Sequence, residues 1–317
     1  MRSSSEEHNE AMLRAAQLYY EQSLTQDEIA RRMLLTRWKV GRLLDEARRS
    51  GIVKVEIIHP RARRHEEEQR LTERFGLKAA VVIPAAEDAD EMRLSVARAA
   101  ADFLSDLRPS PKTLGVSWGR TLDDVAAAMP AGWARGVQVV QTNGGLSRSS
   151  RPNTAAEGAL RFAQQGAGSA TLLPAPAIVE HSGTWRTLQR ESSVRDVLVS
   201  AAAANALLFS VGPVDPQSVL VESGYLSAAD MAGLRDAGAV GDLLGHFIDR
   251  DGRAVDEHLE QRTVGLTLPE VRGASTAILV AAGPAKAEAV RACVVSGLCA
   301  VVITDQRTAG HLLEEAS

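Results

Sequence analysis

The chain is 317 residues long, 45% hydrophobic and 24% charged, with a net charge of −4, seven histidines and two cysteines. This is the composition of an ordinary globular protein with room for a small head and a larger domain with its own core, and no apolar run of 18 residues is present to cross a membrane. The histidines and cysteines lack metal-ligand spacing, so neither a metal nor a cofactor is expected. The polar, acidic start MRSSSEEHNE is no signal peptide. A cytoplasmic protein is expected, with Cys293 and Cys299 as buried thiols rather than a redox pair.

In chain order, Ala11 to Tyr20 reads as a helix with Leu13, Ala16, Gln17 and Tyr20 as its packing face. Thr25 then caps a second helix, and Glu28 three positions on completes a capping box. Ile29, Ala30 and Met33 follow at helical spacing. Thr36 caps a third helix, in which Val40, Leu43, Leu44 and Ala47 form one apolar stripe. Its other face holds Arg37, Trp38, Lys39 and Arg42. A short helix, a tight turn and a second helix with cations near its start is the helix-turn-helix layout, whose second helix enters the DNA major groove. Two surface helices of a bundle with a solvated charged face are the plainer alternative. The turn Met33-Leu34-Leu35 has no glycine, so a left-handed residue there is strained and a different turn shape is expected. Ile52 to Ile58 alternates apolar and polar as a strand does, which suggests a winged variant.

Charge supports the same division. Residues 1–64 carry 13 Lys/Arg against 9 Asp/Glu, a net of +4, and since the whole chain is −4 the remainder carries −8. A basic end on an acidic body fits a nucleic-acid-binding module joined to something else. The expected domains are 1–58 as a winged helix-turn-helix head, 59–64 as a linker whose arginines are free to touch phosphate, and 65–317 as an effector and oligomerisation domain.

From residue 65 helices and strands alternate. His65 to Phe75 is a helix stopped by Gly76, and Ala79 to Ile83 is a buried strand. Asp90 caps a helix running to Leu107. Strands are expected at 113–116, 137–141, 170–173, 206–211, 276–281 and 300–304, with Asn153 capping the helix that follows 137–141. Apolar strands alternating with helices indicate an α/β fold with a mostly parallel sheet covered on both faces. In such sheets ligands sit beyond the carboxyl ends of the strands.

That rule selects four loops. Ser117-Trp-Gly-Arg-Thr121 follows a strand and opens a helix. Its Gly119, the Arg120 cation and the Ser117 and Thr121 hydroxyls suit an anion at a helix N-terminus. Asn143-Gly144-Gly145, Gly283 to Lys286 and Thr304-Asp305 follow strands in the same way. A glycine after a strand is usually only a turn, but four such loops, three suited to anions, favour a phosphorylated ligand. Asp242 adds an acceptor for sugar hydroxyls. Asp249, Asp251 and Gly252 read as a turn, since calcium-loop spacing is not met.

The head LYYEQSLTQDEIARRM…VGRLLDEARRSGIVKVEI, the loops GVSWGRTL and NGG, the stretch GAVGDLLGHFIDRDG and the end AAGPAKAEAV…VVITDQRTAGHLL resemble the SorC/DeoR family of bacterial sugar-binding transcriptional regulators over nearly the whole chain. The resemblance implies a winged helix-turn-helix head and an effector domain related to sugar-phosphate isomerases. It also implies a dimer or tetramer that responds to a phosphorylated sugar. The family's phosphate loop corresponds to Gly119, Arg120 and Thr121, and its second sugar loop to Asn143, Gly144 and Gly145. One branch carries a Schiff-base lysine at the Asn143 position, and an asparagine cannot form that bond.

The expected partners are double-stranded operator DNA, read by Gln26, Thr36, Arg37, Trp38, Lys39 and Arg42, and a small phosphorylated sugar. The sugar phosphate is held by Ser117, Gly119, Arg120, Thr121, Asn143, Gly144, Gly145, Asp242 and Lys286. The other readings are a sugar-phosphate isomerase-like enzyme with an appended head, using Asp242, Asp305 and Lys286 as acid and base, and a constitutive DNA-binding protein whose second domain only oligomerises.

Overall fold

In the computed structural model of the chain, residues 4–20, 22, 24–53, 63–145 and 154–314 are described. The chain divides into two compact units, Met1–His59 and Pro60–Ser317.

The first unit packs α1 (Ser4–Tyr20), α2 (Gln26–Met33) and α3 (Arg37–Arg49) around Met12, Ala15, Ala16, Leu18, Ile29, Ala30, Val40, Leu43, Leu44 and Ala47. The α3 stripe and Ile29 are buried as the spacing requires, each large aliphatic contributing roughly 1.5–3 kcal/mol. The face of α1 is rotated from the expected one. Met12, Ala15, Ala16 and Leu18 point inward, whereas Leu13, Gln17 and Tyr20 are exposed. Leu13 and Tyr20 are apolar or aromatic but fall outside the stripe that the small Ala15 and Ala16 bring against the other helices.

The caps form as the sequence indicates. Thr25 Oγ1 accepts from Glu28 N, and the Glu28 carboxylate accepts from Thr25 N at 2.8 Å. Thr36 Oγ1 accepts from Lys39 N at 3.2 Å. The turn does take the left-handed shape: Leu34 has φ 55 and ψ 42. This lets Leu35 N–H return to the Ala30 carbonyl at 2.9 Å and close α2. Ile52 and Val53 lie in a bend rather than a strand, and the rest of the expected wing, 54–58, falls outside the described residues.

The second unit is built on a seven-stranded parallel sheet. In chain order its strands are β1 (Ala79–Ile83), β2 (Thr113–Val116), β3 (Gln138–Gln141), β4 (Ser169–Thr171), β5 (Ala206–Phe209), β9 (Ala277–Val280) and β10 (Val301–Asp305). They lie in the order β1-β10-β9-β5-β2-β3-β4. One face buries Val81, Ile83, Leu114 and Ile303 against α5 (Ala89–Asp106), α6 (Arg120–Ala128) and α7 (Thr154–Gln165). The other buries Ala80, Val82, Leu207 and Leu279 against α4 (His65–Phe75) and the helices Ser192–Ala202, Ala287–Val295 and Gln306–Leu313. Alternate strand residues thus enter two cores, which is why these strands read as continuous apolar runs.

Three expectations shift. Asp88, not Asp90, caps α5. The segment 206–211 is two elements, β5 and β6 (Val211–Gly212), and β6 joins β7 (Gly241–Leu243) and β8 (His246–Ile248) in a small antiparallel sheet. Arg63 and Arg64 belong to the second unit rather than to a free linker. Arg63 pairs with the buried Glu68 at 2.7 Å and donates to the Ala80 carbonyl, and Arg64 N donates to the Val82 carbonyl. Glu68 also accepts from Val82 N at 2.9 Å, so this carboxylate anchors α4 to the edge strand. The Asn153 cap falls outside the described residues. Cys293 and Cys299 are free and buried.

The chain runs from β2 through β3 to β4 on one side, then returns to place β5 on the other side of β2. A crevice opens at such a reversal, beyond the carboxyl ends of the strands.

Leu34 is 92% exposed, so its side chain stabilises nothing that glycine would lose, while an L-residue in this conformation costs roughly 1–2 kcal/mol. Allowing for the backbone entropy of glycine, Leu34→Gly is expected to stabilise the head by about 0.5–1 kcal/mol, read as a higher denaturation midpoint. An unchanged or lower midpoint contradicts the strain.

Candidate functional site

At the crevice, β2 leads through Ser117, Trp118 and Gly119 into α6. Gly119 is the N-cap residue at φ 134, a conformation that disfavours any side chain, and no side chain caps this helix among the described residues. The first N–H groups of α6 are therefore left for a ligand, and the helix dipole favours an anion there. The Arg93 guanidinium bridges Asp90 of α5 and Asp124 of α6, which braces the helix from behind.

Lys286 enters from the loop after β9, in a short 3-10 turn, Pro284–Lys286, rather than from the following helix itself. Its Nζ donates to Thr121 Oγ1 and Ser210 Oγ, both at 3.3 Å. Burial holds its pKa down to about 8, against the opposing pull of Asp242. Asp242, on β7, is pushed up to about 6 by burial, partly offset by the hydrogen bond from Gly245 N and by Lys286. A Cβ on Gly212 of the neighbouring β6 would stand 2.0 Å from Asp242 Oδ1, so a side chain there would displace the carboxylate.

These groups line one cavity of about 110 Å³, several times the space of a single water. Ser117, Gly119, Arg120, Thr121, Asn143, Asp242 and Lys286 all reach it, joined by Trp118, Ser210, Ser218 and an apolar wall of Val211, Pro213, Val219, Leu220 and Leu244. Ser210 follows β5 and obeys the same loop rule. The segment 213–220 gives no comparable sign in the sequence.

Gly144 and Gly145 do not line the cavity. Gly144 N donates to the Val264 carbonyl at 2.8 Å, and its own carbonyl accepts from Trp118 Nε1 at 2.7 Å. A Cβ on Gly144 would meet the Pro176 carbonyl at 2.1 Å, and one on Gly145 would meet Ala155 Cβ at 2.4 Å. Both glycines serve close packing. Asp305 is likewise occupied inside the fold. It caps the helix Gln306–Leu313, accepts from Thr308 Oγ1 at 2.6 Å and from Gly283 N at 2.7 Å, and is fully buried. It has no free oxygen for acid–base work on a ligand.

In the first unit, the start of α3 presents Thr36, Arg37, Trp38, Lys39 and Arg42 to solvent. Trp38 is 71% exposed, with the Arg42 guanidinium 5.0 Å from its ring centroid. An exposed tryptophan stacked on a cation is a platform for a base or a phosphate. Arg37 lies 3.8 Å from Asp27, a surface pair that DNA phosphate can displace. Gln26 is half-buried at the start of α2, beside Gly41. Arg48, by contrast, donates to Tyr20 Oη at 2.9 Å and ties α3 to α1.

Residues 60–314 match the model of a family described as a putative sugar-binding domain. Over 312 residues, 97% of this chain and 94% of the relative, the chain is 33% identical to the transcriptional regulator LsrR of Klebsiella pneumoniae. It is 29% identical to the deoxyribonucleoside regulator of Bacillus subtilis over 98% of this chain and 99% of the relative. The full-length sorbitol operon regulator SorC of Klebsiella pneumoniae shares the fold, with a TM-score of 0.71, 24% identity and coverage of 96% of this chain and 98% of that one. A domain of a possible sugar-binding transcriptional regulator from Arthrobacter aurescens matches at 0.69 and 26% identity, over 82% and 99%.

The sunken Lys286 ammonium has a testable cost. Its folded pKa of about 8 lies below the ordinary 10.5, so the folded state binds fewer protons between those values and stability rises with pH there. Without ligand, Lys286→Met is expected to stabilise the protein at pH 7 by about 2 kcal/mol, and the gap to wild type should close as pH climbs from 8 to 10.5. Thermal unfolding of both proteins across that range checks it; a gap independent of pH contradicts it.

Proposed function

The chain belongs to the SorC/DeoR family of sugar-binding transcriptional regulators, and on that premise we propose that a small phosphorylated sugar, bound in the cavity at the carboxyl ends of the sheet strands, controls its binding to operator DNA. The chain is a regulator and not an enzyme, as its relatives are along nearly their whole length. The phosphate lies against the N-terminus of α6, with Arg120 at the mouth and Lys286 beneath. The sugar extends toward Asn143, Ser218 and Asp242. The observation that carries this reading is the uncapped start of α6 facing the Lys286 ammonium. Among the described residues lining the cavity, only Asp242 opposes that pair of positive features, and a dianion neutralises them directly. The deoxyribonucleoside regulator of Bacillus subtilis lends support, since its name points to a compound that contains a sugar.

The head reads duplex DNA with the start of α3. Arg37, Lys39 and Arg42 meet phosphates and base edges, Trp38 supports Arg42, and Thr36 and Gln26 lie close to the DNA backbone. Two heads on successive half-sites multiply affinity, so the working form is a homodimer or tetramer assembled mainly through the effector unit. The ligand changes DNA affinity only by its differential affinity for two arrangements of the protein, typically about 1–3 kcal/mol.

Two outcomes test this. Lys39→Ala with Arg42→Ala is expected to weaken operator binding by about 1–3 kcal/mol for each base-reading side chain removed and to flatten its salt dependence; unchanged affinity and slope in a gel-shift titration remove α3 from the interface. For the cavity, inorganic phosphate is expected to bind a few-fold more weakly at pH 9 than at pH 7, because the Lys286 ammonium with its pKa of about 8 is needed charged and its loss outweighs the gain in phosphate dianion. Arg120→Ala should lose the response to sugar phosphates while operator binding by the free protein is retained. A neutral sugar binding as tightly as its phosphate, by calorimetry, would keep the site and change the ligand class.

A further inference from the structure

Asp242 and Asn143 face the same cavity but come from distant parts of the chain. Asp242 sits on the β7–β8 hairpin. Asn143 sits on the loop after β3, and that loop is paired with a separate strap, Thr263–Leu266. The pairing is backbone to backbone: Gly144 N donates to the Val264 carbonyl, Leu266 N donates to the Thr142 carbonyl, both at 2.8 Å, and Asn143 bridges Gly265 in antiparallel fashion. The strap approaches so closely that a Cβ on Gly265 would meet Asn143 Cβ at 2.8 Å.

One side chain ties the strap to the hairpin. His246 opens β8, just after the turn that follows β7, and the residue is 2% exposed. Nε2 lies 2.9 Å from the Leu266 carbonyl, and Nδ1 lies 2.8 and 2.9 Å from the two Glu260 carboxylate oxygens. Both ring nitrogens face oxygens, so the ring is held at both ends. Glu260 ends the short helix Glu257–Glu260 just ahead of the strap. Thr263 Oγ1 donates to the Leu259 carbonyl at 2.9 Å, which fixes the same helix to the strap.

We propose that His246 is the positioning residue of the effector site: by joining the Asp242 hairpin to the strap that carries the Asn143 loop, it sets the spacing of the two sugar-facing walls. This rests on the reading of the cavity as the effector site. His246 acts through the Leu266 carbonyl, and the strap transmits the constraint to the loop through the Leu266 and Gly144 amides. Glu260, half-buried, holds the ring in the orientation that directs Nε2 to that carbonyl, a contact that fixes the plane of the imidazole.

Amide hydrogen exchange on the full chain tests it. His246→Leu keeps the bulk and removes both hydrogen bonds, and is expected to speed exchange at the Gly144 and Leu266 amides about tenfold, the effect of one buried hydrogen bond, with the amides of β2 and β10 unchanged. His246→Gln, whose amide can donate to the Leu266 carbonyl, is expected to restore both to near wild type. Glu260→Ala, at a partly exposed position, should speed the same two amides by a smaller factor, and it decides the matter if His246→Leu does not fold. Unchanged exchange at Gly144 and Leu266, equal acceleration across the whole sheet, or failure of His246→Gln to rescue overturns the proposal. Inorganic phosphate is titrated in parallel. Its affinity for the α6 end is expected to be the same in wild type and His246→Gln, whereas a wild type that binds no phosphate overturns the effector reading and leaves the exchange result to judge the strap.

Discussion

A parallel sheet must return its chain from the end of each strand to the start of the next, and the side on which it returns decides where the strand ends stay open. In this protein the chain leaves β2 toward β3 and β4 and later comes back to β5 on the far side of β2. Neighbouring crossovers therefore diverge at the β2–β5 border and leave a gap at the strand ends. The phosphate-suited loop after β2, Ser210 after β5 and the Lys286 turn after β9 all empty into that gap. The small β6–β7–β8 sheet grows directly out of β5 and closes the gap from above, bringing Asp242 with it.

The electrostatics of the gap follow from its geometry. An uncapped helix start, a sunken ammonium and a sunken carboxylate are each unfavourable in an apolar surround. The pKa values of the two side chains move accordingly, Lys286 down to about 8 and Asp242 up to about 6. The two offset each other only in part, because the Lys286 ammonium is directed at the Thr121 and Ser210 hydroxyls. Elsewhere in the same unit the buried carboxylates of Glu68 and Asp305 are satisfied by backbone amides. Lys286 and Asp242 share one cavity, whereas burial pushes Asp123 of α6 up to about 7 outside it; perturbed groups that gather in a cavity mark a candidate ligand site.

The head is held together differently. Its core is small and rich in alanine, and its helices are fixed by caps as much as by burial. Thr25 with Glu28 and Thr36 with Lys39 N satisfy the helix starts, and the left-handed Leu34 closes the turn between them. That arrangement leaves the start of α3 free of internal duties, so Trp38 and Arg42 project from it and stack on each other.

Much of this was legible in the sequence, and the reason is locality. Capping boxes, the α3 stripe and the buried strands depend on residues a few positions apart, so Thr25, Val40 and Ala79–Ile83 could be assigned from spacing alone. The misread residues are those whose role depends on a distant neighbour. Gly144 is a glycine because the Pro176 carbonyl comes within 2.1 Å of where its Cβ would stand. Asp305 is consumed by Gly283 and Thr308, and the inward face of α1 is chosen by the helices packed on it. The apolar wall at 213–220 and the His246 junction between hairpin and strap have no local pattern at all. By itself, the sequence determined which elements form and which strand ends carry anion-suited loops, because hydrogen-bond caps and hydrophobic periodicity act over a turn or two of chain. Only the tertiary structure decided which of those loops share a cavity and which polar groups remain unpaired there, because strand order and close backbone approach are set by contacts between segments far apart in the chain.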